Sequence, residues 1–261
     1  MFIISTVQFR PNLATCPADV GNNYRTLTPL LDQAARTGSE LIVLPELCLT
    51  GYSFLGQEDA AKVAEPFDGK TFRVMRAFAV QVNAYISWGY PEYDPKTGKM
   101  HNSGTMVAPD GEIVTRYRKI NFWGSDYLWA TPGSEIAPIV NTKFGETSII
   151  ICRDLRDKIP IYISRFATEG GKKHYEGRRV DLVAASTNWG KGGFPSSTWM
   201  EFTANNKCTL VVANRWGEEF GNHNFSNEFG QGGVVVIESD WKVHIDGIKF
   251  NQDCVVTAII T

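Results

Sequence analysis

The chain has 261 residues, 43% of them hydrophobic and 21% charged, an ordinary composition for a folded protein and not for a disordered or collagen-like one. Its 26 Lys and Arg against 28 Asp and Glu leave a formal net charge of −2, so no basic surplus advertises a nucleic acid or an anionic membrane as partner. No run of 18 apolar residues marks a transmembrane helix.

From the N-terminus, residues 2–9 read as a first strand. The apolar run in MFIISTVQFRPN breaks at Gln8, Arg10 and Pro11 and has no basic start, so it is not a secretory signal. Residues 22–37 place Leu27, Leu30, Leu31 and Ala34 or Ala35 on one helical side, with Gly38 as a stop. ELIVL at 40–44 reads as a buried strand ended by Pro45. A helix is expected over 70–83, a strand at 84–88, a turn through Asp94, Pro95 and Gly98, and a hairpin over 101–118 around Pro109-Asp110-Gly111. Further strands are expected at 147–152, 181–186, 209–213 and 233–237, and a helix at about 196–207. The Gly-rich aromatic segments 187–199 and 214–233 read as loops, which commonly carry binding residues on an α/β scaffold. No linker or repeat divides the chain, so residues 1–261 are expected to form one α/β domain. The five cysteines, 16, 48, 152, 208 and 254, are odd in number and show no C-x-x-C pair. They argue against a disulfide framework or zinc knuckle and point to a reducing cytoplasm.

Several common motifs are missing: the G-x-S-x-G elbow, a complete phosphate-binding loop and H-E-x-x-H. The four histidines, 101, 174, 223 and 244, are scattered, so nothing requests a metal. Three features remain. In LIVLPELCLTGY, Glu46 follows an apolar strand where it meets its crossover, the edge where ligands gather in α/β sheets; the alternative is a solvated or capping carboxylate. In TSIIICRDLRD, Cys152 ends an apolar run and meets Arg153, Asp154, Arg156 and Asp157 at once. Nearby positive charge favours thiolate, although a cysteine is most often a small buried hydrophobe. In TRYRKINFWGSDYLW, Lys119 ends a strand before an aromatic loop, where it also reads as a surface lysine with its ammonium in water. Spacing alone leaves open whether the three meet.

Taken in order, STVQFRPN, the helix around Asn23, GSELIVLPELCLTGY, HNSGTMVAPDGEIVTRYRKI, TPG at 131–133, IICRDLR, DLVAASTNW, VVANRWG and FGQGGVVV resemble the nitrilase superfamily of carbon–nitrogen hydrolases, in its amidase- and carbamoylase-like branch. The resemblance implies a four-layer α-β-β-α sandwich of two mixed sheets. It implies a catalytic triad of Glu46, Lys119 and Cys152. It also implies a second acidic residue, seven before Gly133, which falls on Asp126 where many members have Glu. Arg153-Asp154 replaces the Trp-Glu of nitrile-cleaving members, whereas Asp154 and Arg156 match amide- and carbamoyl-cleaving ones. Gly232 stands where Ser is frequent.

The implied activity is hydrolysis of a small linear amide to an acid and ammonia through a thioester, with no cofactor and no metal. An N-carbamoyl amidohydrolase, a nitrilase and a non-catalytic binding relative are the alternatives. A cysteine protease assisted by one of the histidines is a reading from another class. The resemblance also implies a homodimer or larger homo-oligomer, with a small molecule as the partner and no nucleic acid or membrane. For substrate contacts the candidates are Arg153, Asn188, Trp189 and Trp123. Arg178 and Arg179 are further carboxylate-binding options, and Phe122, Tyr127, Trp129, Phe194 and Trp199 are further pocket aromatics.

Overall fold

The protein is described from a computed structural model, over residues 1–156, 174–190, 194–220, 226–228 and 232–260. Asp157, His223 and parts of the two Gly-rich segments lie outside the described residues. In chain order the elements are β1 (Phe2–Gln8), α1 (Pro17–Arg36), β2 (Leu41–Val43), α2 (Gln57–Ala61), α3 (Lys70–Val82), β3 (Tyr85–Asp94), β4 (Lys99–Val107), β5 (Ile113–Arg118) and α4 (Asp126–Trp129). There follow β6 (Ile139–Thr142), β7 (Gly145–Ile151), a 3-10 turn (Cys152–Leu155), β8 (Leu182–Ser186), α5 (Ser197–Asn206), β9 (Thr209–Ala213), β10 (Glu218–Phe220), β11 (Ser226–Glu228), β12 (Val235–Ile237), β13 (Val243–His244) and β14 (Cys254–Ile260).

Two six-stranded mixed sheets carry the fold. The first runs β14-β1-β2-β3-β4-β5 and the second β13-β12-β9-β8-β7-β6; β10 and β11 form a separate ribbon. Within them, β1, β2 and β3 are parallel, as are β7, β8 and β9. Strand periodicity shows how both faces are covered. Leu41 and Val43 of β2 belong to the core shared with the second sheet. Ile42 and Leu44 join the other core, with Leu27, Leu31 and Ala34 of α1 and Met75 and Phe78 of α3. Trp199 and Phe202 of α5 cover the far side of the second sheet. The layers are therefore α-β-β-α, as the resemblance implies. Each fully buried aliphatic side chain contributes about 1.5–3 kcal/mol.

Helix α1 begins five residues before the periodicity suggests. Pro17 occupies the first helical position, where its missing N–H costs nothing, and the Asp19 carboxylate accepts from the backbone N–H groups of Thr15 (2.9 Å) and Cys16 (3.2 Å). Strand β3 runs on to Asp94 rather than ending near 88. The turn at Asp94–Gly98 therefore joins it to β4 as a long hairpin. The sequence pattern also passes over β6, β13 and α2, which are too short to show a period.

The two sheets meet at one end. Thr6 Oγ1 donates to the Val212 carbonyl (2.6 Å), Ser186 Oγ to the Leu44 carbonyl (2.8 Å), and Gln8 bridges Asn214. This is the carboxyl end of both parallel sets. Because β4 is antiparallel to both neighbours, β5 runs with β3 and ends there too.

Candidate active site

Four strands deliver polar side chains to that common edge. Glu46 follows β2, Lys119 follows β5, Cys152 follows β7 and Asn188 follows β8, so the topology gathers groups far apart in sequence. Lys119 Nζ donates to Glu46 Oε1 at 2.6 Å and to Asp126 Oδ2 at 2.7 Å, and all three side chains are fully buried. Asn102 on β4 ties the same two carboxylates together, its Nδ2 donating to Glu46 Oε1 (2.7 Å) and Asp126 Oδ1 (2.9 Å). The backbone N–H of Asn188 donates to Glu46 Oε2 (3.0 Å), and that of Trp123 to Asp126 Oδ2 (3.1 Å). Tyr52 lays its ring beside Lys119 Nζ, 5.8 Å to the centroid, and donates its hydroxyl to the Trp123 carbonyl.

Cys152 opens the 3-10 turn with φ of 45°. For a residue with a Cβ this left-handed backbone is strained, by on the order of 1–3 kcal/mol. The turn is anchored by buried Asp154, whose carboxylate accepts from Tyr117 Oη (2.7 Å) and the backbone N–H of Asn121 (2.8 Å). Both partners flank Lys119, so Asp154 locks the cysteine turn to the lysine end of β5. A cleft of about 330 Å³ opens over Cys152, lined by Trp123, Arg153, Arg156, Asn188 and Trp189.

The electrostatics follow from burial against charge. Burial raises the Glu46 pKa; the Lys119 ammonium pulls against it and the Asp126 carboxylate adds to it. Burial acts to lower Lys119, but the Asp126 and Glu46 carboxylates outweigh it, so the amine is held as an ammonium. Burial, and then the Glu46 charge, raise the Cys152 thiol; Lys119 and a hydrogen bond with the Asn188 backbone oppose them without reversing the shift. This corrects one sequence expectation. The charges beside Cys152 do not make a resting thiolate, because the thiol itself is buried and Glu46 lies among its neighbours.

Of the candidate substrate contacts, Arg153, Asn188, Trp189 and Trp123 all border the cleft. Arg178 instead donates to the carbonyls of Ala137 and His174, and Arg179 pairs with Asp181. Phe122, Trp129 and Trp199 are buried packing, and Phe194 meets Trp199 and Phe250 edge to face. Asn102, Tyr52 and Arg156 were not among the candidates. Asn102 lies inside a strand, where nothing in the pattern separates it from Ser103. None of the described histidines borders the cleft: His101 bonds the Thr131 carbonyl, His174 receives the Ala137 N–H, and His244 pairs with Glu238. Gly232 has φ of 85°, and a Cβ there would lie 2.7 Å from Trp216 Cβ, so the frequent Ser has no room. Among the described residues no cluster of His, Cys, Asp or Glu could hold a metal, and no helix is long and apolar enough to cross a membrane.

A family model for carbon–nitrogen hydrolases matches residues 3–162. The chain is 27% identical over 222 residues to a nitrilase of Pyrococcus abyssi, covering 85% of this chain and 78% of that one. It is 30% identical over 158 residues to a protein N-terminal amidase of Schizosaccharomyces pombe, covering 57% and 54%. Among solved structures, an amidase from Nesterenkonia sp. AN1, carrying the product of Michael addition of acrylamide at its active-site cysteine, superposes with a TM-score of 0.76 at 16% identity, covering 100% of this chain and 94% of that one.

Proposed function

The chain belongs to the carbon–nitrogen hydrolase family, whose members cleave C–N bonds other than peptide bonds, and on that premise we propose that it hydrolyses a small linear amide to a carboxylic acid and ammonia through a thioester on Cys152. The observation that carries this reading is the buried Glu46–Lys119–Asp126 cluster, with contacts of 2.6 and 2.7 Å, set beside a cysteine that floors an open cleft. The relatives named as amidases support the reaction type.

In this mechanism Cys152 rests as a neutral thiol, so its proton leaves as the sulfur attacks. Glu46 takes that proton while the Sγ–C bond forms; its raised pKa makes it a stronger base than an exposed carboxylate. Lys119 Nζ and the backbone N–H of Arg153 face the developing oxyanion, a contribution of about 3–4 kcal/mol for a well-placed donor. Glu46 returns the proton to nitrogen, the C–N bond breaks and ammonia departs. Water, deprotonated by Glu46, then attacks the thioester; the C–S bond breaks, the sulfur recovers a proton and the acid is released. Asp126 and Asn102 hold Lys119 and Glu46 in register. No step calls for a cofactor.

An ammonia-release screen over primary amides, N-carbamoyl amino acids and nitriles tests the reading. Release from primary amides, lost by at least a thousandfold in Cys152→Ala, is expected. Release from nitriles or carbamoyl compounds alone, or undiminished release by the variant, contradicts it. The five free cysteines fit a cytoplasmic setting. A homodimer is part of the same proposal, supported by exposed Tyr127 and Leu128 of α4 and nearby Trp123, apolar surface that a second copy would cover. Light scattering is expected to give the mass of two chains, and a single-chain mass contradicts it.

A further inference from the structure

A second polar cluster lies behind the cleft. Asp154, Tyr117 and His174 are all buried, and none of the three borders the cleft over Cys152. The hydrogen-bond partners assign the protons along it. The backbone N–H of Ala137 donates to His174 Nδ1 at 2.9 Å, so that nitrogen is bare and the ring hydrogen is on Nε2. His174 Nε2 stands 3.3 Å from Tyr117 Oη, and Tyr117 Oη donates to Asp154 Oδ2 at 2.7 Å. The direct separation of His174 Nε2 from Asp154 Oδ1 is 3.8 Å, too long for a hydrogen bond, so the imidazole reaches the carboxylate through the tyrosine. The two rings meet edge to face with centroids 5.5 Å apart.

The chemistry sits at the far end of this chain of hydrogen bonds. Asp154 shares the 3-10 turn of Cys152 and Arg153. Its other strong donor is the backbone N–H of Asn121, and Tyr117 and Asn121 flank Lys119. The two groups proposed to meet the oxyanion, Lys119 Nζ and the Arg153 N–H, therefore come from separate pieces of chain that Asp154 joins from behind. The turn has need of such a brace, because φ of 45° at Cys152 is a strained backbone. Buried hydrogen bonds in series also polarise one another, so the imidazole N–H makes the tyrosine hydroxyl a firmer donor to Asp154. None of the motifs that pointed to the site includes His174.

We propose that His174 and Tyr117 are positioning residues for the reaction: acting through Asp154, they set the spacing between the Cys152–Arg153 turn and Lys119. Neither touches substrate. Oxyanion donors work only within about 3 Å of the charge they stabilise, so the spacing governs the chemical step and not binding. The role differs from that of a histidine base, since His174 lies away from the cleft and its Nδ1 is taken by Ala137. This inference rests on the amidase reading above.

The test measures ammonia release by Tyr117→Phe, His174→Phe, the double variant and His174→Gln. The substrate is the primary amide found most active in the screen above, at a temperature where circular dichroism shows each variant folded. In each Phe variant kcat is expected to fall about tenfold, with KM within about twofold of wild type. The double variant is expected to match Tyr117→Phe alone, since His174 acts through that hydroxyl. His174→Gln offers an acceptor to Ala137 and a donor to Tyr117, and is expected to recover most of the rate. Wild-type kcat in Tyr117→Phe overturns the inference, even with a lowered melting temperature, because the cluster then serves the fold alone. Losses that multiply in the double variant, or a Gln variant as slow as His174→Phe, also overturn it. Where His174→Phe does not fold, a slow Tyr117→Phe beside an active His174→Gln is the expected result, and the reverse contradicts it. These outcomes leave the amidase reading standing; wild-type protein that cleaves no primary amide overturns that reading, and this inference with it.

Discussion

The Asp126 carboxylate is one methylene shorter than the glutamate frequent at its position, yet it stands 2.7 Å from Lys119 Nζ. Helix α4 starts at that residue and brings its backbone close, and the Trp123 N–H and Asn102 fix both oxygens. Asp126→Asn keeps the shape and removes the charge, so kcat is expected to fall about tenfold. Lys119→Ala removes the proposed oxyanion donor and is expected to lose about a hundredfold to a thousandfold; wild-type rates from either variant in the ammonia assay remove that residue from the mechanism. The pH profile follows from the sign of the Glu46 shift. Its pKa is raised and its basic form is the working one, so kcat/KM falls as pH drops through a value above the ordinary carboxylate range. An acid limb at or below about pH 4 contradicts this assignment. At this scale Glu46 and Cys152 drew notice because each ends an apolar run, whereas Lys119, which follows the polar stretch TRYR, entered the proposed triad through the family resemblance. Asn102 was not legible, since its role depends on two carboxylates from other parts of the chain. The direction of the Cys152 shift was also hidden, because charges adjacent in sequence say nothing about burial.

Strand β3 does more than extend the first sheet: its Gly89 lies against the backbone that presents Glu46. A Cβ at Gly89 would stand 2.7 Å from Glu46 Cα and 2.9 Å from Leu47 N, so the chain needs glycine there for close approach. Gly89→Ala is expected to cost about 1–3 kcal/mol and to lower activity by displacing Glu46; an unchanged melting temperature and kcat contradict it. The turn after Glu46 has its own clamp. Glu219 accepts from the backbone N–H groups of Tyr52 (2.7 Å) and Ser53 (2.6 Å) and pairs with Arg215 at 2.6 Å, all buried. Glu219→Ala removes a buried carboxylate from Arg215 and from two backbone N–H groups and is expected to destabilise by about 3–5 kcal/mol, read as a lowered urea midpoint; a midpoint equal to wild type contradicts it. Elements α3 and β9 were legible from their apolar patterns, whereas the seven-residue strand β14 was passed over. The start of α1 was not legible either, since Pro17 reads as loop until it is seen at the first helical position.

Across the molecule, Ile4, Leu41, Val43 and Met106 of the first sheet share one core with Ile149, Ile151, Ala184 and Val211 of the second. Neither sheet can keep that face dry alone, so the chain is expected to unfold in one cooperative step, with fluorescence and circular dichroism tracing the same urea curve; two separated transitions contradict a single domain. The sandwich was legible only through resemblance, because alternation marks strands without saying which sheet each joins. The same architecture brings four strand ends to one edge, and the chemistry proposed there turns on a covalent bond to Cys152. Intact-protein mass spectrometry of the enzyme, acid-quenched during turnover of an amide, tests it most directly. A mass increase equal to the acyl group, mapped to Cys152 and absent in Cys152→Ala, is the predicted result; steady ammonia release from protein that never gains that mass, and continues in Cys152→Ala, contradicts it.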